Sequence, residues 1–312
     1  VTGIAGDAGE RRSPSFRSRR VRRWGNGVRT ALLLGLVAGL ALAAGAVVGG
    51  RSGLLVALVV ALGVNGWAWY GSDRLALRAM RAIPVTETQA PGLYAMVREL
   101  ATQARQPMPR LYVSPTDQPN AFATGRTPRR AALCCTQGVL ELLDRRELRA
   151  VLAHELSHVR NRDVLVSCIA GALASVVTYV ASLATFASLF GDRPDDDRDS
   201  AGVLGTLMLV LLGPLAAGLV HLAVSRGREY DADADGARLC GDPQALASAL
   251  RRISEGADAR PLPPEDRLVA QSHLMIAAPV RASGLAALFA THPPMAERIA
   301  RLERMAEEPG RD

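Results

Sequence analysis

Lysine is absent from these 312 residues, and all 37 basic side chains are arginine. That bias belongs to composition, and no chemistry is attached to it. Cysteine is scarce: Cys134 and Cys135 are adjacent, while Cys168 and Cys240 lie far off. This spacing fits neither a thiolate zinc site nor a disulfide framework, so buried free thiols in a reducing compartment are expected. Histidine occurs five times, so any pair at metal-binding spacing carries weight. A formal charge of +7 and a pI near 9.9 would suit nucleic acid. The arginines, however, concentrate beside apolar runs, which marks membrane flanks and argues against a nucleic-acid partner.

Long uncharged stretches are what the chain does have. Residues 1–30 carry eight arginines with no apolar period, and a disordered cytoplasmic tail is expected there. Ala31–Gly50 follows, long enough as a helix to cross a hydrocarbon core. Its AAGA segment would also suit a cleaved signal peptide, but the run is long for that role and its basic region extended. Arg51 and neighbouring glycines predict a turn. A second span, Ser52–Gly71, ends in Trp67, Trp69 and Tyr70, residues that favour the membrane–water boundary. Val164–Leu189 and Ala201–Val224 are the third and fourth runs, separated by the net acidic Gly191–Ser200. Placing arginine inside and this loop outside puts residues 72–163 and 225–312 together on the cytoplasmic face. A shallow re-entrant hairpin for the last two runs gives the same sidedness.

Between the second and third runs the pattern is that of a water-soluble α+β unit. Pro91–Gln106 has a helical apolar stripe of Leu93, Val97, Leu100 and Ala104. Arg110–Ser114, Ala121–Thr124 and Ala131–Thr136 are short strand candidates divided by Pro, Asp, Asn and Gly. Ala132, Leu133, Cys134, Cys135 and Thr136 directly precede the next helix, and they are nominated as an edge to which a substrate strand could add. An interior strand is the equal alternative.

That next helix contains His154, Glu155 and His158 in the pattern H-E-x-x-H. Two histidines four apart share one helix face and can converge on one metal ion. Neutral imidazoles suit Zn²⁺, and a catalytic zinc takes three protein ligands. Glu155 lies where it can take a proton from attacking water. Leu142, Leu143, Leu148, Val151, Leu152 and Leu156 give the helix an apolar stripe, so an idle surface helix is disfavoured. The charged residues flanking the motif, from Arg145 to Asp163, also exclude a site sunk within an apolar span.

The third ligand is not in the metzincin position, which here holds Asn161 and Val164. Glu229 and Asp233 share a face of a downstream helix; Glu229 is the candidate ligand, and Asp233 the candidate partner for the far nitrogen of a ligating histidine. His221, His273 and His292 are rivals for the third position.

HELSHVRNRD, SRGREYDADADGA, PNAFATGR at Pro119–Arg126 and THPPMAERIARL together resemble the M48 metallopeptidases of the HtpX type, over nearly all of Trp24–Leu302. The resemblance implies one zinc ion held by His154, His158 and Glu229, with Glu155 as the catalytic glutamate. It also implies a role for His292 near the oxyanion or substrate. The fold class it suggests is an α-rich integral membrane protein of about four transmembrane helices, carrying a cytoplasmic gluzincin-type α+β peptidase domain with a small sheet. The expected activity is endopeptidase cleavage of misfolded membrane proteins or unfolded polypeptides at the bilayer surface. A selective processing protease and a non-enzymatic scaffold with structural zinc are the alternatives.

Overall fold

Along Ala132–Thr136 successive side chains point to opposite faces, as in any strand, and both faces here are covered. The computed structural model describes residues 16–170, 172–173, 218, 226–259, 276 and 293–307. Within them β1 (Ile83–Pro84), β2 (Arg110–Ser114), β3 (Ala121–Thr124) and β4 (Ala132–Thr136) form one sheet in the order β1-β2-β4-β3. β2 and β4 are parallel, with Leu111 opposite Leu133; the two outer pairings are antiparallel. Leu133 and Cys135 pack into the main core on one face. Ala132 and Cys134 meet Ala76, Leu77 and Met80 on the other. The adjacent thiols therefore point apart, both are free, and burial pushes the Cys135 thiol up to about 12.

This topology corrects the expected substrate edge at Ala132–Thr136. β4 lies inside the sheet, hydrogen-bonded on both sides, so its backbone cannot accept another strand. Burial on both faces accounts for its almost unbroken apolar run, a feature that the edge strand β3 shares. The outer strand on that side is β3.

The core face of the sheet is covered by helices. α2 (Pro91–Gln103) starts with Pro91 in its first turn and buries Leu93, Met96, Val97 and Leu100. α3 (Gln137–Leu142) follows β4 directly. α4 (Arg145–Asn161) carries the H-E-x-x-H motif and opens with a capping box. Asp144 Oδ1 accepts from the Glu147 N–H at 2.8 Å, and Glu147 Oε2 accepts from the Asp144 N–H at 3.0 Å. Such a box satisfies two otherwise orphaned donors and fixes where the helix begins. The Glu147 carboxylate also accepts from Ser248 at 2.7 Å and pairs with Arg252. Both belong to α6 (Pro243–Ala259), so the cap of α4 doubles as its clamp to α6. Between them in sequence is α5 (Arg226–Cys240), and α7 (Met295–Glu307) packs on α6 and α5.

Ahead of the sheet, helical residues run continuously as α1 (Phe16–Ala79), but α1 is not a straight rod. Gly50 has φ +55°, a left-handed value that glycine adopts without strain and that interrupts a right-handed helix. The Asn65 amide donates to the Leu34 carbonyl at 3.2 Å. Along a straight helix of 1.5 Å rise these residues would be about 46 Å apart. The chain reverses at Gly50, and the two arms lie antiparallel. Gly50–Gly71 is long and apolar enough to cross a bilayer, and only 11% of its most apolar 18 residues is buried. It is the one such helix among the described residues.

The expected disordered tail is helical from Phe16 onward. Arginine is a good helix former, and no proline follows Pro14 until Pro84 to break the run. The start of the third apolar run packs on the second arm of α1: Val166, Ile169, Ala170 and Leu173 surround Ala68. The remainder of that run, nearly all of the fourth and the acidic Gly191–Ser200 lie outside the described residues.

Candidate metal centre

His154 and His158 face one another because they are one turn apart on α4. Their Nε2 atoms are 3.2 Å apart. Glu229 in α5 closes the triangle, with Oε1 at 3.5 Å from His158 Nε2 and Oε2 at 3.9 Å from His154 Nε2. One ligand atom from each residue lies within 4.8 Å of the other two. Tetrahedral zinc with bonds of about 2.0–2.1 Å to nitrogen requires the two nitrogens to be about 3.3 Å apart. The pair of imidazoles meets that requirement, and two nitrogens plus one carboxylate oxygen suit Zn²⁺. The donor set therefore fits the ion that the motif implies.

The far nitrogens are held as well. His154 Nδ1 lies 3.0 Å from Asp233 Oδ1, and His158 Nδ1 lies 3.3 Å from Asp163 Oδ2. A carboxylate at Nδ1 keeps the proton there and leaves the Nε2 lone pair turned into the site. Asp163 reaches back because Arg162 caps α4 in a left-handed conformation, φ +61°. Glu155, 3% exposed, lies beside His158 and Glu229, and its carboxylate accepts a hydrogen bond from the Ala123 backbone N–H of β3. The outer strand of the sheet thus lies against the motif glutamate.

The family model of Peptidase family M48 matches residues 87–306, which contain every residue of this cluster. The chain belongs to peptidase family M48. Within the family it is similar to proteins named Protease HtpX homolog. That of Kineococcus radiotolerans is 56% identical over 292 residues, 92% of this chain and 99% of that protein. That of Paenarthrobacter aurescens is 52% identical over 91% of this chain and 98% of the relative. The Persephonella marina protein is 43% identical over 91% and 98%. The solved structure of S. mikatae Ste24p has a TM-score of 0.49 at 19% identity, over 91% of this chain and 67% of that one.

In this M48 chain one residue outside the expected set reaches the centre of the cluster. Arg298, on α7, is 0% exposed. Its Nε and Nη2 donate to the two oxygens of Asp233 at 2.8 and 2.7 Å. Nη1 donates to the Ile276 carbonyl at 3.2 Å and lies 3.4 Å from Glu229 Oε2. The Ile276 N–H in turn donates to Asn120 Oδ1 at 3.0 Å, just ahead of β3. Arg298 therefore links α7, α5 and the entry to β3 around His154. An arginine in an amphipathic helix gives no local sign of such a position. Asp163 was equally unmarked, since its approach depends on the turn after α4. His221, His273 and His292 lie outside the described residues.

Charge in the cluster is unevenly held. Burial raises the Glu155 carboxyl to about 8, with Glu229 adding to the rise and His158 opposing it. Burial would lower His158, but the Asp163 hydrogen bond, Glu229 and Glu155 together lift it to about 9. In His154 burial prevails over Asp233, and its pKa is lowered. Burial would raise Asp233, yet Arg298 and His154 hold it at about 2. The site is thus an anionic cradle with one fixed guanidinium, suited to a cation.

Proposed function

We propose that this chain is a zinc-dependent endopeptidase that cuts polypeptide at the cytoplasmic face of the membrane. The observation that carries the reading is the convergence of His154, His158 and Glu229 within 4.8 Å, with Glu155 beside them. Zinc held by these three residues would polarise a scissile carbonyl and lower the pKa of water, the two services a hydrolytic zinc supplies. Glu155 takes the proton from the attacking water and delivers it to the leaving amine. Asp233 and Asp163 keep their histidines in the tautomer that ligates.

A structural zinc site has no use for a glutamate placed like Glu155, which disfavours the scaffold alternative. The cytoplasmic assignment is supported by eight arginines in residues 1–30 and by the reversal at Gly50, which returns the chain to the side of that tail. The strand edge nearest Glu155 is β3, and it replaces β4 as the edge a substrate would meet. Substrates are polypeptide segments presented at the bilayer surface, and clearance of misfolded membrane proteins is the role the family resemblance favours.

The test is zinc stoichiometry and casein cleavage by the detergent-purified chain. Wild type is expected to bind one zinc and cleave. Glu155→Gln is expected to keep zinc and lose activity by about a thousandfold or more. Glu229→Ala is expected to lose both. Wild type that binds zinc but never cleaves would overturn the peptidase reading. Glu229→Ala that retains zinc and activity would move the third ligand elsewhere.

A further inference from the structure

The outer face of the second arm of α1 has no part in the zinc chemistry, yet it is built. Trp67, Tyr70, Gly71, Arg74, Leu75 and Arg78 line a groove of about 220 Å³. Their spacing places them on one helical stripe. The opposite face of the same arm is committed: Ala76, Leu77 and Met80 are buried against Phe122, Ala132 and Cys134 of the sheet. The stripe therefore looks away from the peptidase core, with Trp67 46% and Tyr70 65% exposed. The indole Nε1 of Trp67 lies over Gly71, where an added Cβ would meet it at 3.3 Å. A third cation joins from the loop after β3, with the Arg126 guanidinium 4.5 Å from the centre of the Tyr70 ring. Asp73, next to Arg74 in the chain, turns to Arg110 at 3.6 Å and accepts the Arg74 backbone N–H at 2.9 Å.

Depth along the helix decides what such a groove meets. Gly71 ends the apolar span. At 1.5 Å per residue, Arg74 lies about 4.5 Å beyond it and Arg78 about 10 Å beyond it. The polar layer of a bilayer is about 5–8 Å thick on each side, so the two arginines bracket the phosphate plane. On the other side of Gly71 the stripe continues through Val60 and Val56, 53% and 63% exposed, a surface for an acyl chain. Guanidinium forks match phosphate oxygens, and indole N–H and phenol O–H supply neutral donors at the same boundary.

We propose that this groove binds the headgroup of an anionic phospholipid, its phosphate between Arg74 and Arg78 with Arg126 adjoining, and its acyl chain along Val60 and Val56. The site anchors the arm of α1 that carries the sheet, and so sets the depth of the peptidase unit at the membrane surface. The proposal rests on the reading that Gly50–Gly71 lies in a bilayer and is independent of the zinc chemistry.

The experiment is native mass spectrometry of the full chain released from detergent, titrated with phosphatidylglycerol, phosphatidylcholine or inorganic phosphate. Wild type is expected to retain phosphatidylglycerol over phosphatidylcholine by about fivefold for each contributing arginine. Arg74→Gln/Arg78→Gln should collapse that preference, while Arg74→Lys/Arg78→Lys keeps most of it. Arg126→Gln leaves α1 unaltered and should lower the preference measurably even if the double variant folds poorly. Equal retention of both lipids by wild type overturns the proposal, as does an unchanged preference in Arg126→Gln together with the glutamine pair. Full displacement of the lipid by millimolar inorganic phosphate would assign the groove to free anion instead. Flotation on phosphatidylcholine vesicles separates the two levels of failure. A chain that floats without headgroup preference loses only this site, whereas one that does not float loses the membrane reading as well.

Discussion

Arg298 and Asp233 form a buried ion pair beside a histidine that needs one member of it. Each charge costs several kcal/mol to desolvate, and each is tolerated because the other is there. Removing the arginine alone leaves Asp233 uncompensated, so Arg298→Met is expected to destabilise the chain by about 3–5 kcal/mol. The loss should appear in chemical denaturation of the metal-free protein. Arg298→Met/Asp233→Leu removes both charges and is expected to recover most of that stability, as apolar replacements of buried pairs do. It should not recover zinc affinity, because the carboxylate on His154 Nδ1 is gone, a loss of about tenfold to a hundredfold. A double variant as unstable as the single one would contradict this account of the pair. Glu229 and Asp233 were legible in the sequence because their relation is local, one helix turn. Asp163 and Arg298 were not, because one depends on a left-handed cap and the other on a helix more than sixty residues away.

At the level of elements, the cluster exists because α5 crosses α4 closely enough to bring Glu229 and Asp233 to His154. Gly236 stands at the crossing. A Cβ built there would lie 2.7 Å from His154 Cα and 2.8 Å from its nitrogen, inside contact distance to backbone that cannot turn aside. In an exposed helix, Gly→Ala gains about 0.5–1 kcal/mol. Here the sign should reverse, to a loss of about 1–3 kcal/mol as for an overpacked core. Zinc affinity should fall along with stability, since α5 must back away carrying Glu229. Isothermal titration of zinc into Gly236→Ala checks this, and unchanged affinity would mean that α5 can shift without moving its acids. Helix contacts of this kind need an atom-level view, and so does strand order. The three short segments at 110–136 were recognisable as strands from their composition, but nothing within five residues says which of them stands at the edge. β4 is central because β3 turns back onto it while β2 pairs parallel on its far side, a decision made by the connections rather than by the strand.

On the scale of the whole molecule, the proposed sidedness of everything that follows rests on the reversal within α1. Its signals were legible: two apolar runs, an arginine and glycines between them, and aromatics at the far end of the second. The continuous helix through residue 50 obscures it, whereas the Asn65–Leu34 hydrogen bond is decisive, since a polar amide within an apolar arm bonds across to a second helix. A cysteine pair tests the fold directly. Leu34→Cys/Asn65→Cys places two thiols at the point of contact, and mild oxidation in membranes or detergent should join them within one chain. In a straight helix they would be about 46 Å apart, beyond any disulfide or short bismaleimide. Cys134, Cys135 and Cys168 are buried, and the half-buried Cys240 is replaced by serine in the background so that native thiols do not interfere. Intramolecular linkage, read by peptide mass mapping, would place the arginine-rich start of α1 and the metal cluster on one side of the membrane. Linkage only between chains would instead mean that the two arms do not pair, and the common sidedness would have to come from some other part of the fold.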